Sequence, residues 1–310
     1  MSVKSSFPVI AVLCAVAMSY KNEDMVADQV LPYVTVDGEE FYFLDYRKTD
    51  IFQLLETEVG RTSLPNTVNI EATKELANTV DHALRGEIPM KDIERAAQAA
   101  FKYDPEQRMV QHLQKLLSLA REVRVSKMVF NADTYTADRK VKLAGTSKFD
   151  GVDSDPISVI NTGLDSSIMR PNTMILGQDA WRKLRIHPDI VKARNRTDGD
   201  KGMASRDEVK QLFEVKNIII GQGWVNTARE GQPAQMQRVW GNNISLIHQD
   251  TEANADSGIT FGYTARWGNP WGGSLFDKNI GAKGGQDIRT GSNIKEMITA
   301  PELGYYIEAV

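Results

Sequence analysis

A helix begins at Asp104-Pro-Glu-Gln107, and the pattern that follows it frames the whole 310-residue chain. Aspartate accepts hydrogen bonds from the first free amides, and proline suits the first helical position. Gln107 stands three residues after the cap, where it can complete a capping box. Apolar residues then recur at helical spacing as Met109, Leu113, Leu116, Ala120 and Val123, with Val110 and Leu117 beside them. Arg108, Gln111, Lys115, Arg121 and Arg124 occupy much of the remaining surface. A helix over about 104–131 is roughly 40 Å long, a strut rather than an ordinary globular helix.

Upstream of the strut the pattern is different. Lys4 followed by Pro8-Val-Ile-Ala-Val-Leu-Cys-Ala-Val-Ala-Met18 has the charged start and short apolar stretch of a signal peptide, with Ala15-Val-Ala17 as a cleavage site. The run is too short to span a bilayer, which takes about 20 residues. The reading preferred is an N-terminal arm that buries its apolar face against the fold or another subunit. Val34 and Val36 before Asp37-Gly38, and Phe41-Tyr-Phe-Leu44 after it, predict a β-hairpin. Thr49 to Pro65 shows no sustained period and reads as an extended excursion. Asp81 to Pro89 reads as a strand closed by proline that brings the excursion back.

Downstream, Thr134 to Asp150 reads as polar and strand-like, and Asp155-Pro156 restarts a helix with Ile157, Ile160, Leu164 and Ile168 on one side. Pro171–Gly177 and Asn217–Gly221 read as short buried strands ending in glycine. Between them, 178–185 and 188–194 read as helices, and Ser205 with Glu208 caps a third. Val239–His248 and Gly258–Trp267 read as paired strands, Trp267 to Gly285 as a glycine-rich loop, and the tail as two more strands.

The chemistry-bearing residues do not assemble into a catalytic pattern. Histidines 82, 112, 187 and 248 have no i, i+4 pair, and the single cysteine, Cys14, sits in an apolar run that lacks cations to activate it. Asp150, Asp153 and Asp155 lack the glycine and distal glutamate of a calcium loop. Gly221-Gln-Gly223 follows a strand, but Asn226 stands where a dinucleotide fingerprint needs its third glycine. There is no Gly-Lys-Ser/Thr phosphate loop and no Gly-x-Ser-x-Gly elbow. The net charge of −4 offers no basic excess for gripping nucleic acid. Tryptophans 181, 224, 240, 267 and 271 lie near Arg229, Arg238 and Arg266, where they can stack bases, but packing and subunit contacts are the preferred account. No catalytic residue, cofactor or metal site is expected.

Taken in order, the apolar arm, long hairpin excursion, proline-closed return strand, strut helix, α/β module and β tail resemble the major capsid proteins of tailed bacteriophages. Local strings carry the same likeness: Ala17-Met-Ser-Tyr-Lys-Asn22, Val26-Ala-Asp-Gln-Val-Leu-Pro32, Pro171-Asn-Thr-Met-Ile-Leu-Gly177, His187-Pro-Asp-Ile-Val191, Val239-Trp-Gly241 and Gly304-Tyr-Tyr-Ile-Glu-Ala-Val310. The resemblance implies an α+β chain with the Hong Kong 97-like fold. Residues 1–32 would form the N-terminal arm and 33–79 the extended loop. Residues 80–150 with 286–310 would form a peripheral domain holding the spine helix, and 151–285 an α/β axial domain.

The same resemblance implies a shell subunit that self-assembles into pentamers and hexamers around double-stranded DNA, without sequence-specific binding and without a membrane. Asp37, Gly38, Phe41, Phe43, Arg47 and Lys48 would lie in the loop that overlies a neighbouring subunit. The chain opens on the arm without a long helical pre-segment, so a separate scaffolding protein is expected, with a portal and a decoration protein as further partners. The place expected is the virion capsid, assembled in the host cytoplasm. Two other readings stand beside it: an encapsulin-like nanocompartment shell, and a secreted binding protein or enzyme with a cleaved signal peptide.

Overall fold

The computed structural model describes residues 9–19, 25–45, 57–60, 64, 73–98, 103–151, 154–194, 202–229, 231–250, 252 and 258–310. Its helices are α1 (Ala11–Ser19), α2 (Ala27–Val30), α3 (Met90–Gln98), α4 (Pro105–Val129), α5 (Pro156–Ser166), α6 (Gln178–Ile186), α7 (Pro188–Arg194) and α8 (Arg206–Phe213). The strands are β1 (Tyr33–Val36), β2 (Glu40–Asp45), β3 (Thr73–Asn78), β4 (Val80–Pro89), β5 (Lys140–Lys142), β6 (Thr173–Gly177), β7 (Asn217–Gly221), β8 (Trp224–Asn226), β9 (Met236–Arg238), β10 (Ile244–Ile247), β11 (Gly262–Asp277), β12 (Gly285–Ile298) and β13 (Gly304–Glu308). They form a four-stranded sheet, β1-β11-β12-β4, a five-stranded sheet, β5-β13-β10-β6-β7, and two ribbons, β2-β3 and β8-β9.

The strut forms as α4, 25 residues long, with Asp104 accepting from the amides of Glu106 and Gln107 at 2.9 and 3.3 Å. Its first half packs on the four-stranded sheet: Val110 and Leu113 join Ile88 of β4, Ile288 of β12, and Leu13 and Ala17 of α1. The apolar run near the N-terminus thus buries one side of a helix within its own subunit. Among the described residues no helix is long and apolar enough to cross a membrane. The second half of α4 reaches the other sheet, where Val125 and Val129 pack with α2, Ile175, Ile219 and Ile247.

Strand alternation explains how the five-stranded sheet is filled on both sides. Met174 and Leu176 of β6, Ile218 and Ile220 of β7, and Leu246 of β10 face a cluster made with Ile160, Leu164, Trp181, Leu184, Val209 and Phe213 of α5, α6 and α8. The intervening Ile175, Ile219 and Ile247 face α4 and the stacked rings of Tyr135, Phe261 and Tyr306. A sheet covered on both faces reads as a continuous apolar run, and that made β6 and β7 readable. The Ser205 cap is a closed box, with Ser205 Oγ accepting from the Glu208 amide and the Glu208 carboxylate accepting from the Ser205 amide.

Several expectations are corrected. Asp37-Gly38 does not close a hairpin: β1 pairs in parallel with β11, Tyr33 opposite Thr264, while β2 pairs with β3, Phe41 opposite Ala77. The dipeptide is instead a bend where the chain leaves one sheet for another. The strand expected within 258–267 does not pair with the one at 244–247, since β11 and β10 lie in different sheets. The stretch 267–285 is largely strand, because β11 runs on to Asp277 after a register shift between Trp267 and Trp271. Gly268, at φ +69°, sits in that shift. Within 134–150 β5 is the one strand, with short 3-10 turns on either side of it. Ile168, expected on the buried side of the helix after Pro156, is 53% exposed.

The strand β11 belongs with β12 and β4, whereas β5 and β13 belong with β10, β6 and β7.

His187 sits in the α6–α7 turn with its ring buried. Its Nδ1 accepts from the Asp189 amide at 3.2 Å, so Nε2 carries the proton and donates to Ser154 Oγ at 2.7 Å. Burial lowers its pKa from the usual histidine value, against the opposing pull of Asp189 and Asp155. A depressed histidine favours the folded state above the unfolded pKa of about 6.5 and loses that contribution as pH falls through the folded value. Thermal unfolding at pH 7.5 and pH 5 is expected to show a loss at pH 5 that shrinks in His187→Gln. An equal loss in both proteins would refute this role.

Candidate assembly surfaces

The loop residues singled out in the sequence separate by strand alternation. Phe41 is buried in its own subunit with Val36, Tyr263, Ala265 and Met297, and Phe43 is half-buried against the same cluster. Tyr42, between them, points the other way at 61% exposed, and its cross-strand partner Leu76 is 56% exposed. Asp37 is exposed and Gly38 half-buried in the bend. Arg47 and Lys48 lie outside the described residues. The two phenylalanines thus anchor the ribbon, and its outward apolar face is carried by Tyr42 and Leu76, which sequence reading passed over.

A second exposed apolar surface is the β8-β9 ribbon. Trp224 and Met236 are each about half exposed, at 48% and 55%, and the Arg238 guanidinium lies 4.2 Å from the centre of the Trp224 ring. Arg238 also donates to the carbonyl of Gln222 at 2.9 Å. A third lies along β4, at the edge of its sheet, where Val80 and Leu84 are partly exposed. Leu116 of the strut is 41% exposed. The residues 109, 113, 116, 120 and 123 were expected to be the buried face of the helix, but Leu116 and Ala120 face solvent.

The buried positions in the second half of the strut include Arg121, Glu122 and Ser126. Arg121, expected on the polar face, is 4% exposed. It pairs with Asp28 and donates to the Leu31 carbonyl and Thr264 Oγ1, both at 2.9 Å, and it stacks on Tyr33. Burial lowers its pKa to about 10, against the raising influence of Glu296 and Glu122. Glu296 is also buried, which raises its pKa. The 2.7 Å hydrogen bond from Arg124, with the charges of Arg124 and Arg121, outweighs that and holds it below the usual carboxylate range. Glu122 accepts from the amides of Val26 and Ala27 at 3.0 and 2.8 Å and from Trp240 Nε1 at 2.5 Å. Beside it a cavity of about 350 Å³ lies between arm, strut and sheet.

Several other chemistry-bearing residues have structural partners. Asp150 pairs with Lys183 at 3.0 Å, and Asp155 accepts from the Ser158 amide at 2.9 Å to cap α5; Asp153 lies outside the described residues. Gly221 ends β7 against Trp240, where a Cβ would fall inside the indole ring, so the Gly221-Gln-Gly223 turn serves packing. Cys14 is half-buried, its thiol donating to the Gly272 carbonyl at 3.4 Å. Among the described residues no group of three or more metal-ligating side chains occurs.

No family model matches the chain. It is 41% identical over 302 residues to the major capsid protein of Pseudomonas phage JBD67, covering 97% of both chains. It is 26% identical to the major capsid protein of Burkholderia phage BcepMu, covering 96% of this chain and 95% of that one. Among solved structures, a phage-related protein of Bordetella bronchiseptica RB50 superposes with a TM-score of 0.76 at 21% identity, over 98% of each chain. End-to-end identity at this level, together with the shared fold, means that the chain belongs to the phage major capsid proteins, the structural subunits of a virus shell.

Proposed function

We propose that this shell protein assembles as hexamers and pentamers into an icosahedral head that encloses double-stranded DNA without reading its sequence, and that it has no catalytic role of its own. Its place is the virion capsid, built in the host cytoplasm away from any membrane. A separate scaffolding protein, a portal and a decoration protein are its further partners. Residues 1–32 serve as the arm and 33–79 as the loop that overlies a neighbour, with Asp37, Gly38, Arg47 and Lys48 at its contacts and Phe41 and Phe43 holding it in shape. Residues 80–150 with 286–310 form the peripheral domain with the spine helix, and 151–285 form the axial domain at the symmetry axes.

The observation that carries this reading is the outward pair Tyr42 and Leu76, on a two-stranded ribbon that, among the described residues, shares no sheet with the rest of the chain. A ribbon of two strands is marginal alone in water, and apolar side chains on its free face favour a covering partner. Many copies of a modest contact give a stable shell through multivalency, and head-to-tail contacts that close make rings.

Negative-stain microscopy of the chain, alone and with the phage's scaffolding protein, tests it. Rings or shells are expected, and persistent monomers under both conditions would sink it. Reversing the charges of Arg47 and Lys48 together is expected to leave folding intact and lower particle yield severalfold. Unchanged yield would remove those two residues from the contact.

A further inference from the structure

The strongest unassigned feature is the carboxylate of Glu122. It is fully buried, and it collects three N–H donors from two segments far apart in the chain. Oε1 accepts from the Val26 amide and the Trp240 indole, and Oε2 accepts from the Ala27 amide at the start of α2. On one side it therefore fixes where the arm crosses the strut. On the other it fixes the Trp240 ring, which lies edge-on to Phe130 at 5.2 Å and is wedged against Gly221 at the end of β7.

Neighbouring side chains of the strut extend the junction. Ser126 Oγ donates to the Val239 carbonyl at 2.7 Å, next to Trp240. Arg121 reaches Leu31 and Thr264, and Arg124 reaches Glu296, so the four-stranded sheet is tied to the same two turns of helix. Residues 121–126 are thus where both sheets and the arm are fastened to one rigid rod.

We propose that Glu122 is a positioning residue for shell assembly: by holding the arm and Trp240 on the same carboxylate, it sets the angle between the two sheets and hence the curvature at which subunits join. This rests on the reading of the chain as a shell subunit. An apolar side chain in its place would leave the Val26, Ala27 and Trp240 N–H groups buried without acceptors. A carboxylate with three directed acceptor bonds serves geometry. In a shell, a small change of angle within each subunit is repeated at every contact and emerges as particle size.

Glu122→Gln is the sharpest probe. Its amide oxygen can keep Val26 and Trp240, but its NH2 then faces the Ala27 N–H, donor against donor. The variant is expected to retain the wild-type circular dichroism, to exchange the Ala27 amide at least tenfold faster, and to form particles with a shifted or broadened diameter distribution. The particles are those formed by the wild-type and variant chains with the phage's other head proteins present. Particles of wild-type diameter would overturn the proposal, whether or not the amide exchanges faster.

If Glu122→Gln does not fold, Trp240→Phe decides. It keeps a ring but removes the donor, and is expected to shift particle diameter while leaving Val26 and Ala27 protected. Unchanged diameter in that variant would equally overturn the proposal. Failure of the wild-type chain to form particles would instead count against the shell reading itself.

Discussion

Leu116→Pro is expected to abolish the native fold, and the reason is confined to the backbone. Leu116 is 41% exposed, so its side chain contributes little to the core. Its position is mid-helix in α4, where proline removes an amide hydrogen bond and its ring clashes with the carbonyl four residues earlier, at about 3 kcal/mol or more. That is a large share of the roughly 5–15 kcal/mol by which domains are stable. The loss is amplified by what the strut connects. Val110 and Leu113 are seated on the four-stranded sheet while Val125 and Val129 are seated on the other cluster, so a kink between them misaligns both.

Leu116→Ala is the control, expected to change stability by no more than about 0.5 kcal/mol, as a surface substitution does. Circular dichroism and solubility check the pair. Retained helix content in the proline variant would contradict the role of α4 as the common rod.

The elements that the sequence exposed are those whose signals are local. The Asp104 and Asp155 caps, the Ser205 box and the apolar runs of β6 and β7 depend on residues a few positions apart, and each forms where the pattern placed it. What local pattern cannot give is the partner of a strand. Val34 and Val36 have the alternation of a hairpin arm, yet β1 joins β11 more than 200 residues away. Glycines in 267–285 suggested a loop, but Gly272 is strand and lies under the arm, where a Cβ would sit 3.1 Å from the Leu13 carbonyl oxygen.

The candidate surface followed the same division. Alternation alone would have set Tyr42 apart from Phe41 and Phe43, but which face turned inward depended on Val36, Tyr263 and Met297. Arg121 was assigned to the polar surface of the strut by its charge, and Glu122 beside it is buried as well. Their burial is tolerated only because Asp28, Leu31, Thr264 and Trp240 arrive from elsewhere to pair with them.

Gly177→Ala is expected to lower stability by about 3 kcal/mol, at the upper end of what overpacking a core costs. Gly177 ends β6 with φ −72° and ψ 155°, a conformation open to any residue, so the effect is steric and not conformational. A Cβ there would fall inside the Gly241 carbonyl oxygen, and the Trp240 carbonyl oxygen is only 2.8 Å away. Both obstacles are backbone, so no side-chain rotation relieves the clash.

Gly145 provides the contrast. Its φ is +58°, with nothing within 4 Å of a built Cβ, so Gly145→Ala meets only the left-handed backbone penalty of about 1–2 kcal/mol. Thermal unfolding of the two variants should show the larger fall for Gly177→Ala, and a melting temperature within 1 °C of wild type would refute the close approach, since about 3 kcal/mol corresponds to roughly 5–10 °C. The obstacle at Gly177 is the Trp240–Gly241 connection whose indole Glu122 holds, so a relaxation that separates the alanine from that connection shifts β6 or Trp240 relative to each other. A folded Gly177→Ala subunit is therefore expected to disturb the same junction from the sheet side, and with it the geometry at which copies meet.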